Sequence, residues 1–121
     1  MGQIPQMPSP NQVGFDDLNA ALKAAGEETR LRILALLFEA ELTVSDLTDI
    51  LRQSQPRISR HLKLLAEAGL VARFREGAWA FFRLAEPGGA LAHDWLHRLD
   101  PADPMVNADR VRLDIARAAR R

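Results

Sequence analysis

The sequence predicts a mainly α-helical fold carrying one small β-hairpin, with about five to six helices, and three observations support this. Apolar residues recur at helical spacing in several stretches, each bounded by a capping or breaking residue. Two of these stretches, in Thr43 to Gln53 and Ser54 to Leu65, meet at a short polar turn with Pro56 just inside the second. Two runs rich in apolar and aromatic residues, 70–75 and 78–84, flank Glu76-Gly77, where a glycine can take positive φ in a tight turn.

The 121 residues with 47% hydrophobic content are enough for a single core, so one domain is expected. No run approaches the length of a membrane span, and the start, MGQIPQMPSP, lacks the basic and apolar regions of a secretory signal. The expectation is a cytoplasmic protein with no membrane partner. With no cysteine, disulfides and thiolate metal sites are excluded. The net charge of zero hides a segregation. Residues 15–50 hold eight acids against three bases, whereas residues 110–121 hold five arginines and one acid, so one face can attract a polyanion while another repels it.

Residues 1–14, rich in Pro, Gln and Gly, are expected to form a flexible N-terminal arm. Phe15, Leu18, Leu22 and Ala25 give a first amphipathic helix that stops at Gly26. Glu27-Glu28 suit a helix N-terminus, and Leu31, Ile33, Leu34, Leu36, Leu37 and Phe38 make the second helix apolar over most of its circumference. This is the expected central helix. Val44, Leu47, Ile50 and Leu51 form the stripe of a third, and Ser54 caps a fourth whose inward residues are Ile58, Leu62, Leu65 and Ala66. Gly69 supplies a left-handed residue after it. Beyond the hairpin, Pro87-Gly88-Gly89 breaks the chain. Leu91, Trp95 and Leu99 mark a fifth helix, and Ala108, Val111, Ile115 and Ala118 mark a sixth, with Asp100-Pro101 and Asp103-Pro104 as cap and first-turn pairs. Residues 15–100 are thus read as one winged helix-turn-helix unit and 101–121 as a C-terminal helix, serving dimerisation or leading into a further domain.

The outward face of the fourth helix carries the functional signal. From Ile50 to Ala66 there is no acidic residue, while Arg52, Arg57, Arg60 and Lys63 are basic. A cationic face without acids suits a phosphate backbone, and its amides and hydroxyls suit base edges. The expected DNA-binding set is Thr43, Ser45, Gln53, Ser54, Gln55, Arg57, Ser59, Arg60, His61 and Lys63, with Arg73, Arg75 and Gly77 on the hairpin, the wing.

Three strings in order, Glu28-Thr29-Arg30-Leu31-Arg32-Ile33-Leu34, Glu41-Leu42-Thr43-Val44-Ser45-Asp46-Leu47, and Ser54 to Leu65 followed by Ala68-Gly69-Leu70-Val71, resemble the ArsR/SmtB family of bacterial winged-helix repressors. The resemblance covers about Phe15 to Asp100. It implies a homodimer, through the first helix and the last two, that binds an operator with an inverted repeat and leaves it when an effector binds. In metal-sensing relatives the second string carries two cysteines; here Thr43 and Ser45 stand there, and hydroxyls are poor ligands for soft metals. The thiolate site is therefore absent. The end of the chain is similar to a subgroup in which a methyltransferase domain follows, so an excised regulatory module is an alternative, as is a winged helix that docks protein.

His93, His97 and Asp100 share a face of the fifth helix at metal-ligand spacing, and they resemble the family's second metal site. Solvated side chains are the reading adopted for them, with no metal and no cofactor. The arginines at 110, 112, 117, 120 and 121 are read as a solvated or dimer-flanking face in preference to a second DNA contact. There is no nucleophile elbow or set-apart carboxylate pair, so an enzyme is not expected.

Overall fold

A computed structural model describes residues 12–86 and 88–120. Most of the expected N-terminal arm, residues 1–11, and Arg121 of the arginine run lie outside these. The elements are α1 (Phe15–Ala25), α2 (Glu28–Glu39), α3 (Val44–Leu51), α4 (Gln55–Glu67), β1 (Val71–Glu76), β2 (Trp79–Leu84), α5 (Gly89–Leu96) and α6 (Pro104–Ala119). Among the described residues the architecture is six helices and a two-stranded antiparallel hairpin in register from Val71 opposite Leu84 to Glu76 opposite Trp79. Leu42 bridges to Phe82 from the hairpin's other edge, tying the start of α3 to the base of the wing.

α2 is the central element, packed against α1, α4, α5, α6 and β2. Its Ile33 and Leu34 are fully buried with Leu47 and Ile50 of α3, Ile58, Leu62 and Leu65 of α4, and Leu113 of α6. Glu27 starts α2 by accepting the backbone N–H groups of Thr29 and Arg30, at 3.1 and 2.9 Å. α5 is shorter than the spacing predicted, ending at Leu96, with Ala92 and Leu96 inside and Leu91, Trp95 and Leu99 half-buried. Among the described residues no helix is long and apolar enough to cross a membrane.

At both ends of the chain the apolar stripes expected to serve dimerisation lie largely on the surface, and other residues take the inward side. In α1 the buried residues are Ala21, Ala24 and Ala25, small enough for close approach to α2 and α4, while Phe15 is 83% exposed and Leu22 is exposed as well. In α6 the buried residues are Asp109 and Leu113, and the predicted Val111 and Ile115 are exposed. A carboxylate occupies the inward position because two guanidiniums meet it there. Arg32 donates to both Asp109 oxygens at 2.9 and 2.8 Å, and Arg112 donates to one at 3.0 Å. This hydrogen bond holds the Arg32 pKa above its usual value against the opposing effect of burial.

Three of the C-terminal arginines are engaged within the molecule, while Arg117 is exposed. Arg110 pairs with Glu39 at 2.6 Å, Arg112 donates to the Ile50 carbonyl at 2.8 Å, and Arg120 pairs with Asp46 while lying over the Phe81 ring. α6 is thereby strapped across α2, α3 and the wing of its own chain. Removing Asp109 leaves Arg32 and Arg112 partly buried without a counter-charge, so Asp109→Ala should lower stability by about 3 kcal/mol. Urea unfolding checks this, and a midpoint equal to that of the unsubstituted chain contradicts the role given to the pair.

Candidate nucleic-acid interface

The helix-turn-helix is set by caps at both of its helices. Thr43 accepts the Asp46 N–H at 3.1 Å and the Asp46 carboxylate accepts the Thr43 N–H at 2.9 Å, a reciprocal capping box that starts α3. α3 ends on Arg52 in the left-handed region, φ 55°, which reverses the chain toward α4. Ser54 caps α4 by accepting the Arg57 N–H at 3.4 Å, with Pro56 in the first turn where its missing N–H leaves no bond unmade. At the far end Leu70 N–H reaches the Leu65 carbonyl and Gly69 N–H that of Ala66, both at 3.0 Å, around Gly69 at φ 77°. This Schellman closure turns the chain directly into β1.

α4 buries Ile58, Leu62 and Leu65 and leaves Gln55, Arg57, Arg60 and Lys63 exposed, with Ser59 half-buried. Gln55 donates its side-chain amide to the Ser59 hydroxyl at 2.8 Å, which orients both polar groups at the start of the helix. Ser45, in the first turn of α3, and Ser54 are exposed beside this face. The wing places Arg73 and Arg75 on the hairpin face that Val71 and Phe82 bury at its base, so the two guanidiniums emerge where the core ends. Phe74 and Phe81 stack across the strands at 5.6 Å, and Gly77 takes φ 62° at the first central position of the turn.

Three residues of the expected contact set are engaged inside the molecule. Thr43 is 6% exposed, its hydroxyl used in the cap. Gln53 donates to the Thr29 hydroxyl at 3.0 Å, fastening the turn to α2. His61 points away from the cationic face, toward the junction of α1 and α2. There Arg30, anchored to the Ala24 carbonyl at 2.6 Å, donates to its Nδ1 at 3.2 Å, and the Glu27 carboxylate lies 3.7 Å away. Arg52, by contrast, is an exposed base at the turn itself, outside the expected set. The signal for it was its position between two helices.

Electrostatics follow this geometry. A guanidinium only donates, so Nδ1 of His61 accepts and the ring is neutral. Burial lowers the His61 pKa, Glu27 acts to raise it, and Arg30, Arg57 and Arg60 add to the lowering, leaving it below the ordinary 6.5. For Glu27, burial alone would raise the pKa. The backbone N–H groups of Arg30 and Thr29, with the charge of Arg30 and that of the His61 ring once acid protonates it, outweigh it and bring the carboxyl below its ordinary range.

His93, His97 and Asp100 do not gather into a three-ligand group. The His93 and His97 rings are 6.4 Å apart and each meets the edge or face of Phe38, while Asp100 accepts the Ala102 N–H at 2.9 Å in a turn. Among the described residues no three acidic or imidazole side chains lie together as a metal group would require.

Residues 27–73, which span α2 through the start of β1, match the arsR family of bacterial regulatory proteins. The chain is 52% identical over 64 residues to the arsenical resistance operon repressor of Escherichia coli, covering 52% of this chain and 55% of that protein, about half its length. It is 38% identical over 78 residues to the transcriptional activator HlyU of Vibrio cholerae, covering 64% of this chain and 72% of HlyU. The solved HlyU structure superposes with a TM-score of 0.61 at 36% identity, over 69% of this chain and 90% of HlyU. A homodimeric winged helix-turn-helix DNA-binding domain from Mycobacterium bovis superposes with a TM-score of 0.60 at 28% identity, over 66% of this chain and 75% of that one.

The neutral His61 carries a pH dependence. The folded chain resists protonation at this ring whereas the unfolded chain takes up a proton near 6.5, so stability should be full above that pH and fall as pH drops below it. His61→Gln should remove this part of the fall. Urea midpoints across that range check it, and an unchanged pH slope in the variant contradicts the assignment.

Proposed function

Because the chain belongs to the ArsR family of bacterial regulatory proteins, we propose that it is a DNA-binding transcriptional regulator in the cytoplasm, a repressor that leaves its operator in response to an effector. The observation that carries this is the exposed cationic face of α4 from Gln55 to Lys63, with no acid before Glu67 at the helix end, seated on the buried Ile58, Leu62 and Leu65. Gln55 and Arg60 are assigned to base edges, with Ser59 oriented by Gln55. Arg57 and Lys63 contact phosphate, as do Ser45, Ser54 and Arg52 around the helix-turn-helix; Arg73 and Arg75 follow the backbone or minor groove around Gly77. His61, Gln53 and Thr43 hold these residues in place without touching DNA.

The functional form is a homodimer reading an inverted repeat, as two copies of one recognition helix on a duplex require. The exposed Phe15 and Leu22 of α1 support dimerisation through this helix, to which α5 is assigned as a second element, and the Mycobacterium bovis relative is itself homodimeric. The exposed Val111 and Ile115 of α6 are a second apolar stripe available to such an interface. A soft metal as effector finds no thiolate, since Thr43 and Ser45 are hydroxyls and the chain has no cysteine.

Selection from random duplexes should yield an inverted repeat bound by two copies. On that duplex Arg60→Ala and Gln55→Ala should each weaken binding by about 1–3 kcal/mol, with much less effect on unselected DNA. Lys63→Ala should weaken both alike and lower the salt dependence. Equal losses for all three variants on both DNAs would reduce the face to a phosphate clamp, and a chain that sediments as a monomer at micromolar concentration, with no selected sequence, would remove the proposal.

A further inference from the structure

Between α2, the 97–103 connection and the first two turns of α6 lies a cavity of about 440 Å³, within the size range of small-molecule sites. Leu31, Ala35, Phe38, Leu99, Met105 and Val106 form its apolar wall. Its guanidiniums are already matched: Arg32 is bidentate to Asp109, and Arg110 pairs with Glu39 at the rim. A charged guest seated in the cavity would have to displace the Arg32–Asp109 pair and strand the buried Asp109 carboxylate, which favours an uncharged one.

We propose that this cavity binds an uncharged, predominantly apolar small molecule, and that its occupancy is relayed to the recognition helix. The second half rests on the regulator reading. The relay is a continuous set of bonds. Asp109 lines the cavity and is shared by Arg32 and Arg112, and Arg112 donates through Nε to the Ile50 carbonyl in the last turn of α3. Two residues later Arg52, at φ 55°, sets the direction in which α4 departs. A guest that shifts α6 against α2 therefore acts on the end of α3, and through it on the angle of the helix-turn-helix. Directional bonds transmit such a shift where a loosely packed contact would absorb it.

The test uses N-phenyl-1-naphthylamine, an uncharged apolar dye that fluoresces on burial, with the full chain. Its emission should rise several-fold with the unsubstituted protein and with Val13→Ser, which removes an exposed apolar residue away from the cavity. It should not rise with Ala35→Phe or Met105→Trp, which fill the cavity from opposite walls; circular dichroism confirms that each is folded. Saturating dye should also weaken binding to the selected duplex several-fold for the unsubstituted chain and leave the filled variants unmoved. Absence of emission, equal emission from the filled variants, or bound dye with unchanged duplex affinity would overturn the proposal. So would emission that fades as the protein is concentrated, which would seat a second copy in the groove. If the chain binds no duplex even without dye, the regulator reading fails and the fluorescence arm alone decides the cavity.

Discussion

The arrangement depends on one constraint, that α4 can present a cationic face only because Ile58, Leu62 and Leu65 on its other side are locked into the core. Those three side chains meet α2, α3 and the base of the hairpin, where Ile33, Leu47 and Leu70 are fully buried. Rotation of α4 about its axis would expose them and bury Arg57, Arg60 and Lys63, costs that add in the same direction. The helix therefore has one orientation in which both faces are satisfied. The caps at Thr43 and Ser54, the left-handed Arg52 and the turn at Gly69 fix where it begins and ends.

Around this core, polar pairs perform tasks that the apolar contacts cannot. Arg30 joins the end of α1, through the Ala24 carbonyl, to His61 on α4, so a helix at one edge of the molecule is tied directly to the recognition element. Asp109 does the same from the other edge, reaching α3 through Arg112. Directional bonds of this kind define distance and angle, whereas the hydrophobic contacts beneath them define only area. Both flanks of the helix-turn-helix are thus held by guanidiniums, and the exposed arginines of α4 and the wing remain free of acidic partners among the described residues.

The parts legible in the sequence were those with local causes. Ser54 and Pro56 mark the start of α4 by themselves, Gly69 and Gly77 mark positive φ, and the alternation of 71–84 marks the hairpin. What was not legible depends on partners far along the chain. Nothing local marks Asp109 for burial, because the group that meets it, Arg32, lies 77 residues earlier in the chain. His61 reads as part of the DNA face until Arg30, 31 residues earlier, claims its ring. In α1 the spacing of Phe15, Leu18 and Leu22 correctly signals a helix, but it cannot say whether the apolar stripe covers the chain's own core or another surface. Alanines took the inward side because α1 approaches α2 and α4 closely.

The central claim, that one face of α4 with the wing reads DNA while His61, Gln53 and Thr43 stand behind it, is tested most directly by an NMR titration of the intact chain with its selected duplex. The account predicts amide and side-chain shifts at Ser45, 52–60, Lys63 and 73–77, with the His61 ring and the Gln53 side-chain amide keeping their bonds to α2. Shifts centred on α1, α5 or the outer side of α6, with 54–63 unmoved, would contradict it.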